Sequence, residues 1–250
     1  MKLPLPSDRS TELGRRLSLA AEPCPDAARG PRALLLMQEF LWPLEPVKRK
    51  FSMLEIRPAV RPRHVLLIPG FGAHPLRMRW LAGRLEEAGH TVKDWKQGIN
   101  LGATKDRFAG VERRLLTLHE RVGEPIVVIG WSLGGVMARE LAKRHPDKID
   151  KVVTMGSPFS GSPRANNGWR AYQAIAGHRV DEPEIKTIVC EKPPVETVAF
   201  WSARDGIVSP KSACGKPGER DRAVALRCTH MGFVLSNEAA AALLSELDRS

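Results

Sequence analysis

The chain contains 250 residues, of which 42% are hydrophobic, and its 39 basic and 28 acidic side chains give a formal charge of +11. This length suits one α/β domain with additions better than two separate domains, and it is enough to bury a sizeable core. The positive charge would suit an anionic partner, but the basic residues are spread along the chain and match no nucleic-acid-binding motif. We therefore expect a solvated basic surface and no nucleic-acid partner.

The amino-terminal residues 1–22 carry scattered charges and lack the continuous apolar stretch of a secretion signal. The most apolar window, residues 33–44, spans about twelve residues and includes Glu39, whereas a membrane-crossing helix needs ~20 residues. We therefore expect a cytoplasmic protein that does not cross a membrane, with peripheral membrane contact left open.

Four cysteines show neither a Cys-x-x-Cys pair nor the spacing of a zinc site, so no structural metal is expected. Cys214 and Cys228 flank a polar loop and could be bridged if their strands lay side by side, which would imply an oxidising compartment. Without a secretion signal, free thiols are the better expectation.

Residues 1–60 are rich in proline, arginine and leucine and differ in pattern from the rest of the chain, so we assign them to an amino-terminal helical arm. Within this arm, apolar residues recur at helical spacing at Leu34, Met37, Leu41 and Leu44. The spacing predicts a short amphipathic helix over residues 33–42, which Pro43 ends.

Two roles are open for this helix. It could pack on the core, or it could lie on a lipid surface with the basic residues 48–50 beside the headgroups. The only strand candidate in the arm is the segment of residues 51–56.

From residue 61 onward, apolar segments alternate with helical segments, and we assign residues 61–250 to a single domain. We predict strands over residues 65–68, 90–95, 125–129, 150–155, 195–201 and 223–227, and helices over residues 76–88, 105–122 and 136–145, with a final helix that opens at Asn237. Strands that alternate with helices of this length predict a mostly parallel twisted sheet with helices on both faces.

The most informative motif is Gly130-Trp131-Ser132-Leu133-Gly134-Gly135, which follows a predicted strand and precedes a predicted helix. A serine on a sharp strand-to-helix turn needs small neighbours two residues before and after it, because a Cβ there would collide with the adjoining backbone. Gly130 and Gly134 meet this requirement. The motif therefore identifies Ser132 as a candidate nucleophile.

A serine hydroxyl is a weak nucleophile at neutral pH, so it needs a histidine to accept its proton and an acid to orient that histidine. Asp205 lies in a polar turn just beyond the predicted strand 195–201, and His230 follows the predicted strand 223–227. Their order in the chain, serine, aspartate, histidine, is the one expected for a nucleophile on such a turn. We therefore predict catalytic roles for Ser132, Asp205 and His230.

Two other residues compete for these roles. His74 lies in the loop after the predicted strand 65–68, but it precedes the serine and has no nearby acid in the sequence. Asp221 is the alternative acid, and it lies in a charged run that is typical of a solvated turn.

Attack by Ser132 would place negative charge on the carbonyl oxygen of a substrate, and this charge needs preorganised backbone N–H donors. The N–H of Leu133 follows the nucleophile at the start of a helix, and the N–H of Phe71 is offered by the loop Pro69-Gly70-Phe71-Gly72. We predict that these two groups form an oxyanion hole.

Together these motifs resemble the α/β-hydrolases, and in particular the bacterial serine esterases and lipases. The resemblance runs from about His64 to the end of the chain and rests, in family order, on Pro69-Gly70-Phe71-Gly72, Gly130 to Gly135, Met155-Gly156-Ser157-Pro158, Asp205-Gly206-Ile207-Val208 and His230-Met231-Gly232. It implies ester hydrolysis through an acyl-enzyme, no cofactor, and a short lid inserted over residues 159–194. The arm is not part of the usual core of this family.

Aromatic and apolar side chains near the motifs indicate an apolar acyl pocket. The pocket candidates are Trp131, Phe159, Trp169, Tyr172 and Met231, and Trp169 and Tyr172 lie in a predicted helix of the insert that would roof the pocket. We therefore expect a lipase-like esterase that acts on a small-molecule ester or a lipid. Thioesters, phospholipids, amides and polyester oligomers would use the same three residues, so the fold does not choose among these substrates.

A second hypothesis is a non-catalytic protein that keeps the same fold and binds a membrane surface or a partner through the arm and the positive charge. The complete set of Ser132, Asp205 and His230 argues against this hypothesis.

Overall fold

The computed structural model describes residues 6–24 and 28–249, so residues 1–5 and 25–27 of the predicted arm lie outside it. Its strands are β1 (His64–Ile68), β2 (Thr91–Asp94), β3 (Ile126–Trp131), β4 (Ile149–Met155), β5 (Glu196–Ser202) and β6 (Arg222–Leu226). They form one sheet in the order β2-β1-β3-β4-β5-β6, and every neighbouring pair is parallel. The parallel sheet expected from the sequence is confirmed.

Helices precede the sheet and connect its strands. They are α1 (Pro6–Ala20), α2 (Ala33–Glu39), α3 (Glu45–Phe51), α4 (Arg79–Glu87), α5 (Lys105–Val122), α6 (Leu133–Arg144), α7 (Trp169–Ala176), α8 (Pro210–Cys214), α9 (Gly232–Leu235) and α10 (Asn237–Leu247). Short 3-10 turns cover Trp42–Leu44 and Pro75–Met78. In the described part of the chain, each helix is too short or too polar to cross a membrane.

The central strand β3 is apolar throughout, and β1 is apolar after His64, because helices cover both faces of the sheet. In β1, Val65 and Leu67 belong to a core layer that includes side chains of α4, α9 and α10. The alternate residues Leu66 and Ile68 belong to a second layer, which includes side chains of α5 and α6. Because all six strands are parallel, their carboxyl ends lie at the same edge of the sheet, between these two core layers.

Several predicted boundaries agree with the structure. Helix α5 begins and ends as predicted, because the Thr104 hydroxyl accepts a hydrogen bond from the Arg107 N–H and Gly123 ends the helix at a φ of 75°. Strand β3 runs two residues beyond its predicted end, to Trp131. As a result, Ser132 follows the strand directly.

The arm differs from the prediction. Helix α2, the helix predicted over residues 33–42, ends earlier than expected, at Glu39, and the candidate strand over residues 51–56 is wrong because Phe51 is the last residue of α3. Pro46 in the first turn of α3 and the basic residues 48–50 in its last turn both favour a helix at this position. The segment that follows α3 has no regular secondary structure before β1.

The insert of residues 159–194 is held from two sides. Helix α1 packs beside α7, and the Arg16 guanidinium donates hydrogen bonds to the carbonyl oxygens of Ala174 and Ile175. At the other end of the insert, the buried Arg139 guanidinium of α6 donates to the carbonyl oxygens of residues 189–191. Burial lowers the pKa of Arg139 to about 10. A lid function for this insert stays a prediction.

Candidate active site

Ser132 lies at a strained turn between β3 and α6, with a φ of 54° and a ψ of −123°. A positive φ is costly for a residue other than glycine, and among the described non-glycine residues only Lys96 shares it. The Ser132 N–H donates a 2.8 Å hydrogen bond to the carbonyl oxygen of Met155, at the end of the neighbouring β4. The turn therefore sits at the carboxyl edge of the sheet, supported by the adjacent strand.

The two glycines around Ser132 are required by space. A Cβ on Gly130 would lie 2.3 Å from the carbonyl oxygen of Gly134, and a Cβ on Gly134 would lie 2.2 Å from the carbonyl oxygen of Ile68. Both contacts are with backbone atoms, which cannot move aside cheaply. The close approach of the backbone around the turn, expected from the motif, is thus present, and Gly134 makes this approach to the end of β1.

Asp205 and His230 form a buried pair at the same edge of the sheet. Asp205 comes shortly after β5, His230 comes shortly after β6, and these strands are neighbours. Asp205 Oδ2 lies 2.8 Å from His230 Nδ1, and Asp205 Oδ1 accepts hydrogen bonds from the N–H groups of Ile207 and Val208 at 2.8 Å each. A carboxylate at Nδ1 favours the tautomer that carries its proton there, which leaves Nε2 free to accept a proton.

The charges around His230 favour its protonated form. Burial alone lowers the pKa of His230, but the negative charge of Asp205, its hydrogen bond and the negative charge of Glu39 outweigh burial, and the pKa is raised above its ordinary value. The imidazole is therefore a stronger base than a free histidine, and its cationic form is stabilised.

Trp131 links the serine turn to the histidine. Its indole N–H donates a 3.1 Å hydrogen bond to the carbonyl oxygen of His230, and the centroids of the two rings are 5.5 Å apart. Within the described residues, the hydroxyl of Ser132 makes no hydrogen bond to His230. Such bonds are often long in proteins of this kind and tighten when substrate binds.

The loop after β1 lies against the serine. A Cβ on Gly70 would be 3.1 Å from the Cβ of Ser132. In the described part of the chain, neither the Phe71 N–H nor the Leu133 N–H donates a hydrogen bond to the protein. Both groups therefore keep the donor capacity that an oxyanion hole needs.

Asn100 holds this loop in place, and sequence reasoning missed it. The side chain is fully buried, and its amide donates a 2.8 Å hydrogen bond to the Pro69 carbonyl oxygen. The main-chain carbonyl oxygen of Asn100 accepts from the Gly72 N–H at 2.7 Å, and the main-chain N–H of Asn100 donates to the Ala73 carbonyl oxygen at 3.0 Å. Three hydrogen bonds from one residue thus fix the segment that carries Phe71.

The competing residues lie in other surroundings. His74 is exposed, and its Nδ1 accepts a hydrogen bond from the Leu76 N–H at the start of a 3-10 turn. Asp221 accepts from the N–H of Thr197 and pairs with Lys192 at the amino ends of β5 and β6, which is the opposite edge of the sheet. This position removes Asp221 as a partner for His230.

The predicted pocket residues fall into two groups. Trp131 and Met231 adjoin His230, and the Tyr172 ring lies 5.2 Å from the ring of Phe71. Phe159 and Trp169 are instead buried against arginines: Arg139 lies 4.2 Å from the Phe159 ring, and Arg164 and Arg170 lie against Trp169. The contacts of Phe159 and Trp169 are structural ones, and a pocket role for the five residues stays a prediction.

A second residue that the sequence did not identify is Glu39, at the end of α2. Its Oε1 accepts hydrogen bonds from the N–H groups of Gly206 and His230 at 2.8 and 2.7 Å, and its Oε2 accepts from the Met231 N–H at 3.0 Å. The one signal in the sequence was the position of Glu39 inside an apolar window, because a carboxylate that becomes buried there needs hydrogen-bond donors.

No group of three or more histidine, cysteine and acidic side chains that could hold a metal occurs among the residues described.

Comparisons with known proteins agree with this fold. A family model described as the alpha/beta hydrolase fold matches residues 103–187, a stretch that contains Ser132 but neither Asp205 nor His230. The solved structure of a monoacylglycerol lipase from Paleococcus ferrophilus superposes with a TM-score of 0.55 at 18% identity, and the match covers 79% of this chain and 99% of that one. At this identity the likeness shows the fold.

Curated relatives match shorter segments. Pimeloyl-[acyl-carrier protein] methyl ester esterase from Neisseria meningitidis serogroup C is 30% identical over 104 residues, which are 38% of this chain and 37% of that protein. The thermostable monoacylglycerol lipase of Bacillus sp. (strain H-257) is 29% identical over 150 residues, which are 55% of this chain and 59% of the lipase. The chain thus spans less than two thirds of the length of either relative. Together, these comparisons confirm the resemblance to α/β-hydrolases, bacterial esterases and lipases among them.

Proposed function

We propose that this chain, which has the α/β-hydrolase fold, is a serine hydrolase that cleaves carboxylic esters through an acyl-enzyme intermediate. The observation that carries this proposal is the buried Asp205–His230 pair, joined at 2.8 Å, at the same sheet edge as the strained turn of Ser132. Similarity to an esterase and to monoacylglycerol lipases supports the same chemistry.

In the acylation step, the Ser132 Oγ attacks the ester carbonyl carbon while His230 Nε2 accepts the hydroxyl proton. Asp205 stabilises the imidazolium that forms, and the N–H groups of Phe71 and Leu133 donate to the negative carbonyl oxygen. The tetrahedral intermediate collapses with cleavage of the C–O bond, and the imidazolium returns its proton to the leaving alcohol.

In the deacylation step, His230 accepts a proton from water as the water oxygen attacks the acyl carbon of the Ser132 ester. Collapse of the second intermediate releases the carboxylic acid, and Ser132 regains its proton. No other reactant is consumed, because water supplies the oxygen of the acid and the proton of the alcohol.

An apolar acyl chain fits the surroundings of the serine best. The rings of Trp131 and Phe71, with Tyr172 against Phe71, lie beside the site, and Met231 follows the histidine. Aromatic and aliphatic walls favour binding of an acyl group over a charged one. We therefore propose an ester with a medium or long acyl chain as the substrate.

A fluorophosphonate probe tests the mechanism, because an activated serine displaces its fluoride and forms an O–P bond. The proposal predicts one adduct by intact mass in the wild-type protein, none in Ser132→Ala, and turnover of p-nitrophenyl esters with an optimum in acyl length. Ser157→Ala is the matched control, because the Ser157 hydroxyl is buried near the same turn and has no partner among the described groups. An adduct that survives in Ser132→Ala, or the absence of any adduct, would overturn the proposal.

The arm has an exposed apolar face, and we propose a lipid surface as its partner. In residues 33–53, the exposed large apolar side chains are Leu34, Met37, Phe40, Leu41, Trp42, Leu44, Val47, Phe51 and Met53. Phe40 is 75% and Phe51 87% exposed, while the two acidic side chains of the same segment, Glu39 and Glu45, are buried. Large exposed apolar patches mark binding surfaces, and the exposed Lys48 and Lys50 beside this patch suit anionic headgroups.

Sedimentation with vesicles tests this partner. The double variant Phe40→Asp with Phe51→Asp should lose binding to phosphatidylcholine vesicles that contain phosphatidylglycerol, and hydrolysis of a soluble short ester should stay unchanged. Ile188→Asp is the matched control, because Ile188 is 65% exposed but lies in the insert. Equal vesicle binding by the double variant, or a wild-type dimer that the double variant abolishes, would overturn the lipid proposal. Vesicle binding without any serine adduct would instead favour the non-catalytic hypothesis.

A further inference from the structure

Glu39 is a carboxylate that the arm turns inward. It is 5% exposed, although its neighbour Phe40 is 75% exposed. Moving a carboxylate out of water is costly unless several donors replace the lost hydration. Its donors in the described part of the chain are three backbone N–H groups rather than a lysine or arginine. The position of this side chain is therefore fixed by directional hydrogen bonds and not by a simple ion pair.

The three donors belong to the two loops that carry the candidate acid and base. Gly206 directly follows Asp205, and the other two N–H groups are those of His230 itself and of Met231. Glu39 Oε1 accepts from Gly206 and His230 together, so a single oxygen atom joins the two loops. The Ser202 hydroxyl at the end of β5 also joins the two loops, because it donates to the Cys228 carbonyl oxygen and accepts from the Arg204 N–H. Among the described side chains, however, it is Glu39 that binds the N–H of His230 itself.

The backbone of the arm is also in contact with the acid loop. A Cβ on Gly206 would lie 2.3 Å from the carbonyl oxygen of Leu35 in α2. The Asn167 side-chain amide donates to the carbonyl oxygens of Pro31 and Gly206, which ties the arm to the same loop from the insert. The arm is thus locked onto the loop at several points, and Glu39 extends this contact to His230.

We infer that Glu39 is a positioning residue of the candidate active site, which fixes the backbone of His230 relative to Asp205 and thereby aims the imidazole at Ser132. This inference rests on the proposed function for its kinetic consequence, but not for the geometry that it assigns. It also gives the arm, which the fold family does not require, a direct role in the site.

The charge of Glu39 supplies a readout that a merely structural contact would not. The charged groups that act on His230 among the described residues are Asp205 and Glu39, while the neighbouring rings of Trp131 and Phe233 are neutral. Both carboxylates raise the pKa of His230. Removing the charge of Glu39 should therefore lower the pKa of His230, even if the fold is unchanged.

Two variants and one control separate these effects. Glu39→Gln keeps the shape and one carbonyl oxygen but removes the charge, and Glu39→Ala removes all three hydrogen bonds. Glu45→Gln is the matched control, because Glu45 is the other buried carboxylate among the described residues of the arm, is 6% exposed, and pairs with Lys48 rather than with the active-site loops. If Glu39→Ala does not fold, Glu39→Gln still carries the test.

With a soluble p-nitrophenyl ester, we expect Glu39→Gln to lower kcat about tenfold with little change in KM, since small displacements of a catalytic group are costly. The acid limb of its pH profile should move to lower pH, and Glu45→Gln should match the wild type in both. A kcat of Glu39→Gln within twofold of wild type with an unmoved acid limb would overturn the inference.

An NMR titration of His230, assigned by comparison with His230→Asn, distinguishes this failure from failure of the proposed function. It reads the His230 pKa without turnover. If the wild-type protein neither hydrolyses esters nor reacts with the fluorophosphonate, the proposed function fails, whereas the positioning role still requires the pKa of His230 to fall in Glu39→Gln. An unchanged His230 pKa in that variant would sink the positioning role by itself.

Discussion

The indole N–H of Trp131 donates to the carbonyl oxygen of His230 at 3.1 Å, and it joins the residue before the candidate nucleophile to the candidate base. The backbone of His230 is thus held at both ends, because its own N–H donates to Glu39 at 2.7 Å. With Nδ1 bound to Asp205, the ring nitrogen Nε2 is the one hydrogen-bonding group of His230 that has no partner among the described residues.

The first prediction concerns this indole bond. Trp131→Phe removes the donor and part of a buried ring, so it costs one hydrogen bond and some packing. We expect kcat to fall about fivefold, the equivalent of ~1 kcal/mol, and the melting temperature to fall as well. Steady-state kinetics on a short ester measure it, and Trp80→Phe in α4 serves as the control for loss of an indole elsewhere. A larger loss in Trp80→Phe than in Trp131→Phe would contradict the role of the bond.

The second prediction separates the two candidate acids. Asp205→Asn replaces the carboxylate at His230 Nδ1 and favours the wrong tautomer, so kcat should fall by about 10⁴. Asp221→Asn should leave kcat near the wild-type value, because Asp221 binds Thr197 and Lys192 at the opposite edge of the sheet. Parallel kinetics on the two variants measure this difference, and the reverse ranking would refute the assignment of Asp205.

The sequence predicted the sheet and the serine turn because both depend on local patterns. Mostly apolar strands of four to seven residues that alternate with helices leave few arrangements other than a covered parallel sheet. The glycines around Ser132 likewise indicate close contacts of the backbone. The Asp205–His230 pair followed from chain order, since neighbouring parallel strands end at the same edge.

The contacts of Glu39 could not be found in this way. Its hydrogen bonds to Gly206 and His230 span 167 and 191 residues of sequence, and nothing near Glu39 in the chain indicates those partners. The segment of residues 51–56 failed for the opposite reason: its composition suits a strand, but it does not join the sheet, and the helix signals of α3 extend through Phe51.

The third prediction concerns pH. A general base must be neutral, so kcat/KM should fall as pH drops through the raised pKa of His230, with an acid limb above the ordinary histidine value of about 6.5. The contribution of His230 to the free energy of unfolding has the opposite pH dependence from activity, because a raised pKa in the folded state means that folding stabilises the protonated imidazole. That contribution is present below the unfolded-state pKa and is lost as pH rises through the folded-state pKa.

Two measurements test both signs. A pH profile of kcat/KM gives the acid limb, and a limb centred below the ordinary histidine pKa would contradict the expectation for activity. Thermal unfolding of the wild type and of His230→Asn as a function of pH tests the expectation for stability. The largest difference in stability is expected at the acidic end. A difference that grows as pH rises would contradict it.

The fourth prediction concerns the contact between the arm and the acid loop. In Gly206→Ala, the new Cβ would lie 2.3 Å from the Leu35 carbonyl oxygen, which is backbone and cannot rotate away. We expect a destabilisation of about 1–3 kcal/mol together with a loss of kcat, measured by denaturant unfolding and kinetics. Gly83→Ala in α4 is the control, because its Cβ meets nothing within 4 Å and alanine favours the helix. Normal activity in a destabilised Gly206→Ala would separate the arm contact from catalysis.

The fifth prediction tests Asn100 as the support of the oxyanion loop. Asn100→Asp keeps the size of the side chain but replaces the amide that donates to the Pro69 carbonyl oxygen with an acceptor, so two oxygens would face each other. The loop should shift the Phe71 N–H away from the developing oxyanion, and loss of one such donor costs about 10²-fold or more in kcat. Reaction with the fluorophosphonate should slow in parallel, because its phosphoryl oxygen needs the same donors.

Asn237→Asp is the matched control, because the Asn237 amide likewise donates to backbone carbonyl oxygens, those of Arg49 and Ser52, but joins α10 to the end of α3. Both variants should lose some stability, and only Asn100→Asp should lose activity on a soluble ester. Equal activity losses in the two variants would mean that Asn100 acts through general stability and not through the oxyanion loop.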